Sequence, residues 1–83
     1  MVRVARGVSD PSTAWRVRDA LACHPLLGGA TAQIEISASS EMVILEGWTL
    51  DATVERLAVH LARRAAGRRP VSVRIQHCHR ERV

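Results

Sequence analysis

The chain contains no lysine, no tyrosine and no phenylalanine, and its only aromatic rings are Trp15 and Trp48. A surface that grips single-stranded nucleic acid by base stacking would have just those two rings to draw on. Two cysteines, Cys23 and Cys78, are too few for a disulfide framework. No stretch approaches the roughly 18 consecutive apolar residues of a membrane span. Met1 to Val8 is short, is interrupted by Arg3 and Arg6, and leads into no apolar run, so it does not read as a signal peptide. Catalytic signatures are missing as well: there is no Gly-x-Ser-x-Gly elbow, no phosphate loop and no His-Glu-x-x-His. The expectation is a protein that is not an enzyme, cytoplasmic as given, or periplasmic if cut from a longer exported chain.

What is present is the composition of one small globular domain: 83 residues, 47% hydrophobic and 24% charged. A chain of this size buries only about 60–65% of the surface that its unfolded form exposes, so a second copy or a neighbouring domain would add stability. The formal charge of +4 is carried by twelve arginines. Such a surface suits anions, whether lipid headgroups, nucleic acid or acidic protein. It equally fits a composition biased towards arginine, alanine and valine.

The pattern along the chain alternates between helical and strand periods. Residues 1–9 read as a basic, weakly ordered lead, 10–77 as the domain and 78–83 as a C-terminal tail. Asp10-Pro11 starts a helix over 11–23, the carboxylate capping free amides and the proline at the first helical position. Ala14, Val17, Ala20 and Leu21 recur at helical spacing until Pro25 stops them, and Leu26-Leu27-Gly28-Gly29 reads as a turn with two apolar anchors. Ile34, Ile36 and Ala38 alternate with polar residues over 33–38, the period of a half-buried strand. Beyond a loop at Ser39-Ser40-Glu41, residues 42–48 are apolar on both faces, as in a central strand. Asp51 caps a second helix over 52–66, with Val54, Ala58, Leu61 and Ala65 as its buried stripe, and Gly67 ends it. A last strand over 71–76 turns Val71, Val73 and Ile75 inward. The expected core is Val17, Leu21, Ile34, Ile36, Val43, Leu45, Leu57, Leu61, Val73 and Ile75.

The order α-β-β-α-β predicts an α+β fold: a two-layer α/β sandwich with a three-stranded mixed sheet and two helices on one face. The second and third strands run parallel through a right-handed crossover. Strand order 1-2-3 puts the most apolar strand in the middle; order 2-1-3 stays open.

A spaced set of residues resembles the BON domain, a small module of bacterial envelope proteins. It comprises Ala20-Leu21, His24-Pro25-Leu26, Ile34-Glu35-Ile36, Val43-Ile44-Leu45-Glu46-Gly47, Asp51, Leu57-Ala58, Leu61-Ala62, Gly67, Val71, Val73 and Ile75. The resemblance covers about two thirds of the chain. Arg68 stands where the family usually has a valine, Thr49 where a valine is common, and the loop from Pro25 to Gln33 is slightly long. The resemblance implies a non-catalytic binding module without a cofactor. It would dock on anionic phospholipid or on partner proteins in envelope, secretion or osmotic-stress settings.

Two surfaces are candidate sites. Arg63, Arg64, Arg68 and Arg69, backed by Arg56, cluster at the end of the second helix, where they suit lipid phosphates or simply offset the helix dipole. Met42, Ile44 and Trp48 fall on the outer parity of the second strand, beside Glu35, Glu46 and Arg74. That placement suits self-association, unless the N-terminal segment with Trp15 covers the face. His77-Cys78-His79 and Cys23-His24 carry metal-ligand residue types, but zinc ligand pairs are usually spaced by about two to four residues, and no metal site is expected. Two alternative functions stay open. One is a KH-like nucleic-acid-binding domain, although Gly28-Gly29 is not the Gly-x-x-Gly clamp and follows the wrong helix. The other is a structural oligomerisation domain using the open sheet face.

Overall fold

Alternation of apolar with polar residues in three segments, and one run apolar on both faces, produce four strands in this computed structural model, which describes residues 1–29 and 32–77. The elements are β1 (Val2–Val4), α1 (Pro11–Ala22), α2 (Pro25–Gly28), β2 (Ala32–Ala38), β3 (Val43–Thr49), α3 (Ala52–Ala66) and β4 (Val71–His77). The fold is α+β, with a mixed sheet in the order β1-β2-β3-β4. The central pair β2–β3 is antiparallel, and both outer pairs are parallel. The expected β-β-α-β order and the central place of the apolar strand hold. The count differs: there are four strands and three helices where the sequence pattern predicts three and two.

The extra strand comes from the N-terminal lead. Val2 and Val4 stand opposite Ile34 and Ile36, and Val2 is buried. The Ala5 N–H donates to the Ile36 carbonyl (2.8 Å) and the Ile34 N–H to the Met1 carbonyl (2.8 Å). Two valines around one arginine are enough once β2 offers a free edge. The extra helix lies in the expected turn. His24 caps it, its Nδ1 accepting from the Leu26 N–H (3.2 Å), and Pro25 fills the first position. Only Leu27 of the two expected anchors is buried; Leu26 is exposed.

The helices cover one face of the sheet. Ala32, Ile34, Ile36 and Ala38 of β2 and Val43 and Leu45 of β3 are buried beneath α1 and α3. Val17, Leu21, Ile34, Ile36, Val43 and Leu45 form the centre as the periodicity predicts. Leu57, Leu61, Val73 and Ile75 are only partly buried. For Val73 and Ile75 the reason is position, since β4 is an edge strand. The buried residues of α3 are Val54, Ala58, Ala62 and Ala66, so the stripe is rotated away from Leu61 and Ala65.

Candidate functional site

The basic cluster depends on how α3 is started and stopped. Asp51 Oδ1 accepts from the Val54 N–H (3.0 Å), and Thr49 Oγ1 donates to the Asp51 carbonyl (3.0 Å). These bonds fix the first turn. Gly67 (φ +70°) closes the last turn, where Arg63 and Arg64 face the carbonyl end of the helix dipole. Arg56, His60 and Arg63 recur at four and three residues, so they share one face, opposite the buried stripe. All three are exposed, as are Arg64 and Arg68. Val59 and Glu55 complete an open hollow along this face. Among the described residues, Arg56, Arg63, Arg64 and Arg68 make no ion pair or side-chain hydrogen bond, whereas Arg3, Arg18, Arg69 and Arg74 are each paired.

Arg69 is the member of the sequence cluster that the fold takes elsewhere. Its Nη1 donates to Asp10 Oδ2 (2.6 Å), Thr13 Oγ1 (2.9 Å) and the Ser39 carbonyl (3.0 Å). Asp10 also caps α1, accepting from the Thr13 N–H (3.3 Å) and the Thr13 hydroxyl (2.9 Å). One guanidinium thereby joins the start of α1, the β2–β3 loop and the α3–β4 loop. Arg69 is a structural clasp and not a free cation, so the exposed basic site is Arg56, Arg63, Arg64 and Arg68.

The Arg69 hydrogen bond, aided by those from Thr13, holds the Asp10 carboxyl below its ordinary value of 3.8. A depressed carboxylate pKa adds stability above the unfolded value, and that contribution is lost as pH falls through the folded value. Asp10→Asn is therefore expected to lower the melting temperature at neutral pH. The gap to the unmodified protein should shrink steadily below about pH 4. A gap that stays constant from pH 7 to pH 3 would show that the charge of Asp10 contributes nothing.

The open face of the sheet is built in cross-strand rows. Arg3, Glu35, Glu46 and Arg74 stand in register across all four strands. Arg3 pairs with Glu35 (3.0 Å) and Arg74 with Glu46 (3.6 Å). Ile44 lies on one side of this row, between Ser37 and Ser72, and Trp48 on the other, between Gln33 and Gln76. The charged row thus separates Ile44 from Trp48, and Met42 precedes the strand, its carbonyl accepting from the Ser39 N–H (2.9 Å). The three residues do not form one continuous apolar patch. Trp15 does not cover them: it is exposed on α1, with the Arg18 guanidinium 5.3 Å from its ring centre.

The metal-ligand residue types are dispersed or engaged. His24 uses Nδ1 as a helix cap, His77 pairs with Glu55, and Cys23 is exposed. Among the described residues, no three His, Cys, Asp or Glu side chains gather as a metal-binding group. Cys78, His79 and the rest of the 78–83 tail lie outside the described residues. Sequence reading missed the Asp10–Arg69 clasp and the four-strand charged row. The first joins residues 59 apart, with no local signal. The second emerges only once β1 is placed beside β2. No helix of the described residues is long and apolar enough to cross a membrane. In comparisons with known proteins, no protein family matches the chain, and no curated protein or solved structure matches it.

Proposed function

We propose that the chain is a BON-like, non-catalytic binding module, envelope- or stress-related, that docks the outer face of α3 on anionic phospholipid. The observation that carries this reading is the set of exposed, unpaired guanidiniums at Arg56, Arg63 and Arg64 on α3, beside His60, and at Arg68 in the turn that follows. Arginine meets phosphate in a planar, bidentate fashion. At about 1 kcal/mol per basic residue near an anionic leaflet, four arginines give attraction of about 4 kcal/mol, equivalent to millimolar binding. Tighter association requires several modules on one surface. Screening over about 8 Å at physiological salt restricts the attraction to close approach.

The test is co-sedimentation with neutral and anionic vesicles at low and physiological salt. Binding to anionic vesicles alone, weakened by salt, is the expected result. Replacing Arg63, Arg64 and Arg68 with Ser should abolish it while the protein still melts cooperatively, with only the modest loss that removing two cations from the end of α3 entails. Arg69→Ser should instead lower the melting temperature, because it removes the clasp. Equal binding to both kinds of vesicle would refute the electrostatic mechanism. Preference for a single-stranded oligonucleotide or an acidic protein would move the site to that partner class.

A further inference from the structure

We infer that docking on anionic lipid is proton-linked: protons taken up by His60 and His77 strengthen it. This rests on the docking reading above and adds what regulates the site. Both histidines stand at the arginine-bearing side of α3, and each adds positive charge there in its own way.

His60 adds it directly. It is exposed, four residues after Arg56 and three and four before Arg63 and Arg64, so it shares their side of the helix. Arg56, Val59, His60 and Arg63 line one open hollow together with Glu55. Histidine is the side chain whose ordinary titration falls between about pH 5 and pH 8. Acidification therefore places a further cation among three guanidiniums. Little on the elements packed against α3 answers it. α1 carries Arg16, which is exposed, and Arg18 and Asp19, which pair with each other (3.0 Å). α2 carries no charged residue, and His24 before it serves as its cap.

His77 acts through Glu55. Among the residues lining the hollow, Glu55 is the one carboxylate, and its charge opposes an approaching phosphate. His77 ends β4, opposite Thr49 of β3, and pairs with Glu55 in the first turn of α3. With His77 neutral, the contact leaves the carboxylate charge in place; with His77 protonated, the pair as a whole is neutral. Neighbouring carboxylates are already engaged: Asp51 caps α3 (3.0 Å), and Glu46 of β3 pairs with Arg74 on the open face (3.6 Å). Protonation of both histidines thus takes the hollow and its His77 partner from one net positive charge to three.

Linkage makes the effect reciprocal. An anionic surface holds the protonated form more tightly, so docking in turn draws protons onto the protein. One basic charge near an anionic leaflet corresponds to about fivefold in binding, so two correspond to about 25-fold.

Co-sedimentation with phosphatidylglycerol vesicles at low salt, at about pH 8 and about pH 5.5, spans the histidine titration. The phosphodiester of this lipid keeps its negative charge throughout. Binding should be about 25-fold tighter at the lower pH, and mixing protein with vesicles in weak buffer at about pH 6.5 should consume protons. His60→Arg, on an exposed position, should bind about fivefold more tightly than the unmodified protein at the higher pH. Glu55→Gln should do the same by removing the opposing charge. The double variant His60→Gln/His77→Gln should bind weakly and equally at both pH values. Protons taken up elsewhere, at His24 or the Met1 amine, would still act in that variant, so a pH dependence that survives in it would overturn the inference. Equal binding of the unmodified protein at both pH values would overturn it too, while leaving the docking reading in place. Absence of binding at either pH would overturn both.

Discussion

Gly47→Ala is expected to abolish the cooperative fold. Gly47 sits inside β3 at φ +135°, a backbone conformation that L side chains rarely adopt, and stands opposite Ile34 of β2. A methyl group there would lie 1.9 Å from the Gln33 carbonyl oxygen and 3.0 Å from its carbon. Both atoms belong to the backbone of a central strand, so no rotamer change relieves the overlap. Backbone strain alone costs about 1–3 kcal/mol, and removing the overlap means parting β2 from β3 at their middle. Total stability at typical per-residue values is about 4–12 kcal/mol for a chain of this length, so both costs together approach the whole. Gly67→Ala is the control. Its φ is +70° with ψ −119° and nothing lies within 4 Å, so only the backbone strain of about 1–3 kcal/mol applies, without any overlap. Thermal melts followed by circular dichroism compare the two. A cooperative Gly47→Ala transition within a few degrees of the unmodified protein would show that the ladder bends around a methyl group.

Leu45→Ala is expected to cost about 2–5 kcal/mol. The side chain is fully buried, flanked in register by Ile36 on β2 and Val73 on β4. It sits in a central strand held on both sides, so its neighbours have little freedom to close the cavity. Val73→Ala, at a partly exposed edge position, should cost less than half as much. Urea titrations with an unchanged slope isolate the stability effect. A Leu45→Ala cost below about 1 kcal/mol would mean that this part of the core collapses freely.

The elements with strong periodicity were legible in the sequence. Ile34, Ile36 and Ala38 gave β2; the doubly apolar run ending at Trp48 gave β3; Asp51 and Gly67 bracketed α3 to the residue. What escaped was short or long-range. β1 offers two valines, too few for a periodic signal, and exists because Ile34 and Ile36 leave an edge to fill. The proline that stops α1 also starts α2, and the pattern shows only the first role. On α3, leucine carries more hydrophobic weight than alanine, so the expected stripe included Leu61, yet Ala62 and Ala66 are the buried positions. At the candidate site, the exposed arginines Arg56, Arg63, Arg64 and Arg68 were identifiable from their clustering along the end of α3 and the turn after it. Arg69 looks the same in sequence; its partner Asp10 lies at the far end of the chain, and only the tertiary fold distinguishes it.

The charged row on the open face has a consequence for how the molecule approaches a surface. Arg3, Glu35, Glu46 and Arg74 contribute two charges of each sign, so this row cancels at any distance beyond a few ångströms. The unpaired arginines of α3 lie on the other layer and do not cancel. Near any negatively charged plane the protein therefore experiences a torque as well as an attraction, and it turns helix side first before contact. The sheet's open face is left pointing towards solvent, with both of its edges parallel to the plane.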